Sequence, residues 1–249
     1  MKLIHGQRTW RRRYIEFVQS GGVRNFLHDP RHVEDFQEET EDDWDDAQNE
    51  VFLAELLKYY MAEAATYNAL RDHQGSLIPR LFAEVNLDLT PPNAHDEGIQ
   101  PEELFQVKGI LIQYIEGFTL SALPDHAPQS SWQNIVDQAV SIVHVLGDNN
   151  IMNQDVRPDN FMISLKGNGR YQVFMIDFGL CRFRGQDESY LDWGGAKYTE
   201  SEVDAAGLFM QRRLGKHGFE LKYECSQRYI DRTGRDEERS RIEESLLQP

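Results

Sequence analysis

Two short apolar runs, NFMISL at 160–165 and YQVFMIDF at 171–178, flank the polar turn KGNGR. Runs of that length and composition joined by a Gly-containing turn predict a β-hairpin. A hairpin brings its outer ends together, here Asn160 and Asp177. An ionised carboxylate at the end of so apolar a strand is costly unless it meets a cation or hydrogen-bond donors. Two oxygen donors at one strand end suit Mg2+, which takes few protein ligands and completes its shell with water and phosphate oxygens. Asp155, five residues before Asn160, then stands beside the metal position and is able to accept a proton from a hydroxyl nucleophile. Arg157 offers a forked cation to a transferring phosphoryl group.

The surrounding pattern gives the hairpin a setting. From about Ala47 to Asp72, Phe52, Leu56, Tyr59 or Tyr60, Glu63, Tyr67 and Leu70 recur at helical steps, with Gly75 as the stop. LIPRLFAEVNLDL and ELFQVKGILIQYIEG read as two strands around a polar loop holding Pro91 and Pro92. SSWQNIVDQAVSIVHVLGDNN reads as a long amphipathic helix with Ile135, Ala139, Ile142 and Leu146 on one face. TESEVDAAGLFMQRRLG reads as a further helix, capped by Thr199 or Ser201 and stopped by Gly215. This order predicts an α+β protein of two lobes with a crossing segment near QYIEG.

Composition narrows the class. The 249 residues are enough for one large domain or two small ones, and 40% hydrophobic residues are ordinary for a globular chain. A net charge of −16 argues against a non-specific nucleic-acid binder. Two cysteines, Cys181 and Cys225, imply no disulfide framework and fit a reducing compartment. No apolar stretch reaches signal-peptide or membrane-spanning length. The expectation is an intracellular, cytoplasmic protein without a membrane partner, with the nucleus as the alternative. Arg11, Arg12 and Arg13 mark a basic start, and Glu34 to Glu50 form an acidic block that reads as a solvated linker.

With those residues in view, NQDVRPDN resembles the protein-kinase catalytic loop H-R-D-L-K-P-x-N, and Asp177-Phe178-Gly179 resembles the kinase D-F-G motif. GILIQYIEG is similar to the kinase strand and hinge that meet the adenine, and MAEAATYNALRDHQGSLIP to the helix bearing the glutamate that pairs with the ATP-anchoring lysine. With CRFR after D-F-G, the chain looks most like small kinase-like proteins common in fungi, relatives of protein kinases and aminoglycoside phosphotransferases. The resemblance covers roughly residues 50 to 215 and is strongest at the catalytic loop and D-F-G. It implies ATP and Mg2+ as cofactors, with a protein or small-molecule hydroxyl as acceptor. It implies Asp155 as catalytic base, Asn160 and Asp177 as metal ligands, and Glu63 as the helix glutamate. The backbone of Gln113 and Ile115 would hold the adenine, and either Asp204 or Glu202 would brace the catalytic loop. The implied domains are a basic-then-acidic segment at 1–46, partly disordered, a reduced and mostly helical N-lobe at 47–115, a short C-lobe at 116–230 and a charged tail at 231–249.

The pattern also departs from the family. Asn153 and Gln154 replace the usual His and Arg before the catalytic Asp, and Arg157 stands where protein kinases keep Lys. No G-x-G-x-x-G precedes a strand, and the best candidate for the anchoring lysine is Lys2, with Lys108 as a substitute. Two accounts fit that start: a chain incomplete at its N-terminus, or a degenerate one. No A-P-E follows D-F-G, which shifts weight toward a small-molecule or unusual protein acceptor. A phosphotransferase and a pseudokinase that binds nucleotide or partners without turnover are both open at this point.

Overall fold

The computed structural model describes residues 44–88, 106–167 and 169–226, with only the backbone for 44–55 and 106. Lys2, the basic start, most of the acidic block and the tail at 231–249 lie outside the described residues. The chain is mixed α+β and packs as two units. Among the described residues, one comprises 44–61, 83–88 and 106–111, and the other 62–82, 112–167 and 169–226.

Helix α1 spans Trp44–Ala69, so it begins three residues before the expected start and takes in the last acidic residues of the block. It ends at Ala69 and is followed by a 3-10 turn, Arg71–His73; Gly75 sits beyond that, in a separate turn where its N–H donates to the Ile78 carbonyl. In the first unit, the Tyr60 hydroxyl donates to Glu84 at 2.8 Å. Strands β1, Leu81–Asp88, and β2, Gln106–Ile112, pair with each other and fall inside the two expected strand segments.

The second unit carries the core. Strand β3, Phe118–Thr119, and the short helix α2, Leu123–His126, lead into helix α3, Trp132–Asp148. Helix α3 buries Trp132, Ile135, Val136, Ala139, Ile142, Val143 and Leu146, the three- and four-residue stripe visible in the sequence. Each of its Ile, Val and Leu side chains contributes about 1.5–3 kcal/mol by leaving water. That stripe packs against strands β4, Ile151–Asn153, and β6, Tyr171–Met175, and helix α5, Glu202–Gly215.

The expected hairpin is present. Strand β5, Phe161–Leu165, pairs antiparallel with β6, with Phe161 opposite Met175 and Leu165 opposite Tyr171. The register places Asn160 beside Ile176, whose N–H donates to the Asn160 carbonyl at 2.8 Å. Strand β3 joins the other edge of β5. Gly117, just before β3, runs so close to the Ile163 carbonyl that a Cβ would stand 1.9 Å from it.

Three elements differ from the sequence expectation. Strands β4 and β7, Cys181–Phe183, form an antiparallel pair too short to leave a periodic signal. Helix α4, Tyr190–Glu200, lies where no helix was expected; Ser189 caps it by accepting the Asp192 N–H at 3.1 Å. Ser201 is not a side-chain cap but a break in the left-handed region, φ 50°, ψ 37°, between α4 and α5, and its hydroxyl donates to the Tyr198 carbonyl. Beyond α5 the chain returns over Gly207, where a Cβ would stand 2.2 Å from the Tyr223 ring. The Tyr223 hydroxyl donates to Asp204 there at 2.6 Å.

Candidate functional site

Strand β4 is fully buried, and the chain leaves it into the turn that holds Asp155. Pro158 opens a 3-10 turn over Pro158–Asn160, a position where a missing N–H costs nothing. That turn folds the Asn160 side chain back. Its Nδ2 donates to the Asp155 carbonyl and to Asp155 Oδ2, both at 2.9 Å. Its Oδ1 faces Arg157 Nε at 3.5 Å, and Arg157 Nη2 lies 3.2 Å from Asp155 Oδ2. Asp155, Arg157 and Asn160 therefore form one cluster. Arg157 is more than half exposed, so its pairing with Asp155 adds little stability and leaves the guanidinium free to turn.

Asn153 ties this cluster to D-F-G. Its Oδ1 accepts the Asp155 N–H at 2.8 Å, and its Nδ2 donates to the Asp177 carbonyl at 3.2 Å. One buried side chain thus holds the backbone of both acidic residues. Sequence reasoning treated Asn153 only as a departure from His. The signal it missed is that Asn carries both a donor and an acceptor.

Asp177 follows β6 at φ 66°, a left-handed conformation that Asp tolerates better than most residues. The turn that follows is tight, with the Cys181 N–H donating to the Phe178 carbonyl at 3.0 Å. It exposes the Asp177 carboxylate while burying Phe178 edge-on against Tyr67, ring centroids 5.3 Å apart.

The last turns of α1 close this corner. Glu63 is half-buried, and its carboxyl is pushed up from the usual 4.5 to about 7, first by burial and then by the charge of Asp177; a hydrogen bond from the Phe178 backbone opposes the rise. Burial, then Glu63 and Asp177, also raise the Tyr67 phenol. The Tyr67 hydroxyl is buried with no partner. Two carboxylates and an unpartnered hydroxyl therefore face one another without a cation among the described residues.

That corner is the test of whether a metal fits. Among the described residues no three or more His, Cys, Asp or Glu side chains are grouped to hold one. The donor set expected from the sequence is instead Asp177 with the Oδ1 of Asn160, few and hard, as Mg2+ takes. The uncompensated negative charge beside Glu63 is what a bound cation would offset, so the residues fit the group. Lys108 is exposed on β2, in the first unit.

At the segment expected to meet adenine, the Gln113 N–H donates to the Arg80 carbonyl at 2.8 Å, and its side-chain Oε1 accepts the Arg80 N–H at 3.2 Å. Neither the Gln113 carbonyl nor the Ile115 N–H has a hydrogen-bond partner among the described residues. One acceptor and one donor are left along that edge.

Of the two acids expected to brace the loop that holds Asp155, Glu202 faces that loop and Asp204 does not. Glu202 Oε1 accepts the Asn153 N–H at 2.5 Å, whereas Asp204 accepts from the Tyr223 hydroxyl and the Ser226 N–H. Glu202 also pairs with Lys197, which no sequence pattern marked.

No family model matches the chain. Over 86 residues it is 29% identical to a probable serine/threonine-protein kinase of Dictyostelium discoideum, a match covering 34% of this chain and 6% of that protein. Among solved structures it is similar to the Rio2 kinase of Chaetomium thermophilum, crystallised as an ADP/Mg2+-phosphoaspartate complex, at TM-score 0.46 and 12% identity over 71% of this chain and 43% of that one. The chain thus spans a small fraction of the curated relative and less than half of the solved kinase. The resemblance is to the protein-kinase-like superfamily.

Proposed function

We propose that the chain is an ATP- and Mg2+-dependent phosphotransferase that passes the γ-phosphoryl group to a hydroxyl acceptor, a protein side chain or a small molecule. One observation carries the reading: Asn153 and Asn160 link Asp155 and Asp177 into a single hydrogen-bonded frame. Asp155 accepts the proton of the acceptor hydroxyl. Arg157 swings from Asp155 to steady charge on the phosphoryl oxygens. Asn160 and Asp177 hold the Mg2+, which when bound offsets phosphate charge and orients the nucleotide. The Gln113 carbonyl and Ile115 N–H pair with the adenine edge. Catalysis then comes from positioning and electrostatic stabilisation.

A pseudokinase is the second reading, favoured by the occupation of Asp155 Oδ2 by both Arg157 and Asn160. Thermal unfolding with ATP and Mg2+ separates binding from no binding, because a ligand of the native state raises its stability. A phosphoryl-transfer assay on wild type and Asp155→Ala then tests chemistry. Turnover unchanged by the substitution removes the phosphotransferase reading; nucleotide binding without turnover in wild type selects the pseudokinase.

A further inference from the structure

Beyond α5 the backbone of the chain is held by side chains. Gly218 adopts φ 73° and the Phe219 N–H donates to the Leu214 carbonyl at 3.1 Å, the left-handed glycine turn that ends a helix and reverses the chain. The segment that follows alternates. Phe219 and Tyr223 are part-buried and Leu221 is buried, whereas Glu220, Lys222 and Glu224 are exposed, the two-residue period of a strand. Among the described residues, no backbone group of 220–224 bonds to another backbone group.

Glutamines serve those groups instead. Gln133 of α3 donates to the Lys222 carbonyl at 3.0 Å and accepts the Lys222 N–H at 2.9 Å. Gln211 of α5 donates to the Leu221 and Tyr223 carbonyls at 3.1 and 3.3 Å. Lys222 thus faces α3 while its two neighbours face α5, as the two edges of a strand would. A glutamine amide carries both the donor and the acceptor of a peptide group, so these contacts read main chain whatever side chains it bears.

Selectivity lies with the inward side chains. Phe219 packs edge-on against Trp132, ring centroids 5.3 Å apart. The Tyr223 ring fills the gap left by Gly207, where a Cβ would stand 2.2 Å from it. Its hydroxyl donates to Asp204 at 2.6 Å, so the slot suits a phenol better than a plain ring. Main chain matched along both edges, with pockets for alternate side chains, is how proteins recognise an extended peptide. This part of the chain is held as a ligand is held.

We propose that the seam between α3 and α5 is a peptide-docking groove for a partner segment of the form aromatic-x-Leu-x-Tyr. Residues 219–226 occupy it in cis and are displaced when such a partner binds. The groove's role is independent of the phosphotransferase reading. Because it is tethered, the cis segment competes at an effective concentration on the order of millimolar.

The test uses the full chain and a labelled peptide, HGFELKYECS, matching residues 217–226 and kept reduced, with binding followed by fluorescence anisotropy. Tyr223→Ala empties the ring slot and is expected to bind the peptide about 100-fold more tightly than wild type does. A peptide with alanine in place of its tyrosine should bind that variant at least about tenfold more weakly. Adding Gly207→Ala fills the slot while raising helix propensity, and should cost a further loss of about tenfold or more. No binding to a folded Tyr223→Ala chain overturns the proposal, as does binding that Gly207→Ala leaves unchanged. If Tyr223→Ala does not fold, hydrogen exchange at the Lys222 amide of wild type decides. Exchange about tenfold faster with excess unlabelled peptide supports displacement, and exchange unchanged by the peptide overturns it.

Discussion

The 153–160 loop and the Glu63 corner sit on either side of Asp177 and are built in opposite ways. In the loop, the polar side chains of Asn153, Asp155 and Asn160 all have partners, most of them backbone groups. In the corner, burial and the nearby charge of Asp177 raise the Glu63 carboxyl, and the Tyr67 hydroxyl has no partner. Satisfied polar networks rigidify, whereas uncompensated buried charge favours whatever neutralises it. The difference teaches where this molecule's polar groups are already partnered and where they are left without a countercharge.

The largest effect is expected from breaking the partnered side. Asp155→Ala removes the proposed proton acceptor and should lower phosphoryl transfer roughly 1000-fold, equal to about 4 kcal/mol, in a transfer assay. A loss under tenfold would mean that the loop is scaffold only.

The side without a countercharge makes the next prediction. Glu63 binds its proton more tightly folded than unfolded, since its carboxyl rises from the usual 4.5 to about 7. Stability should therefore fall as pH rises across that window and level off above it. Glu63→Gln should be more stable than wild type above pH 7 by about 2–3 kcal/mol at most, and no different below about pH 4, in urea titrations at each pH. A pH-independent difference would mean that Glu63 does not carry this strain.

Adding Mg2+ sharpens the same contrast. At roughly 100 times its dissociation constant, Mg2+ should stabilise the wild type by about 2.7 kcal/mol and flatten its pH dependence in the window below 7. Asp177→Asn should lose most of that gain. The smallest effect is reserved for Tyr67→Phe, which deletes an unpartnered hydroxyl but keeps the edge-on contact with Phe178. Its stability should stay within about 1 kcal/mol of wild type.

How much of this was legible follows from what a linear pattern records. Helix α3 announced itself because its apolar stripe repeats at 3.6 residues, and the hairpin because two apolar runs flank a glycine turn. Asn160 and Asp177 followed from that hairpin. Helix α4 stayed hidden because YLDWGGAKYTE has two glycines and no apolar period; what holds it is the Ser189 cap and the burial of Trp193 and Lys197. Strands β4 and β7 stayed hidden because three residues cannot display alternation. Either Glu202 or Asp204 fitted the bracing role on paper. A break at a single serine, which no local preference favours, decided between them.

By itself the sequence determined the mixed α+β class, the helix and hairpin that frame the 153–160 loop, and the residue types placed in that loop, because periodicity and side-chain chemistry are local properties. Only the tertiary structure decided that Asn153 joins Asp155 to Asp177, and that Lys197 and Glu202 hold the edge of β4 that faces no strand among the described residues. Apart from the local Asn153–Asp155 bond, those contacts join residues 24 to 49 positions apart. Such partners are chosen by which buried backbone groups need a hydrogen bond once the core has closed, and that need exists only in the folded chain.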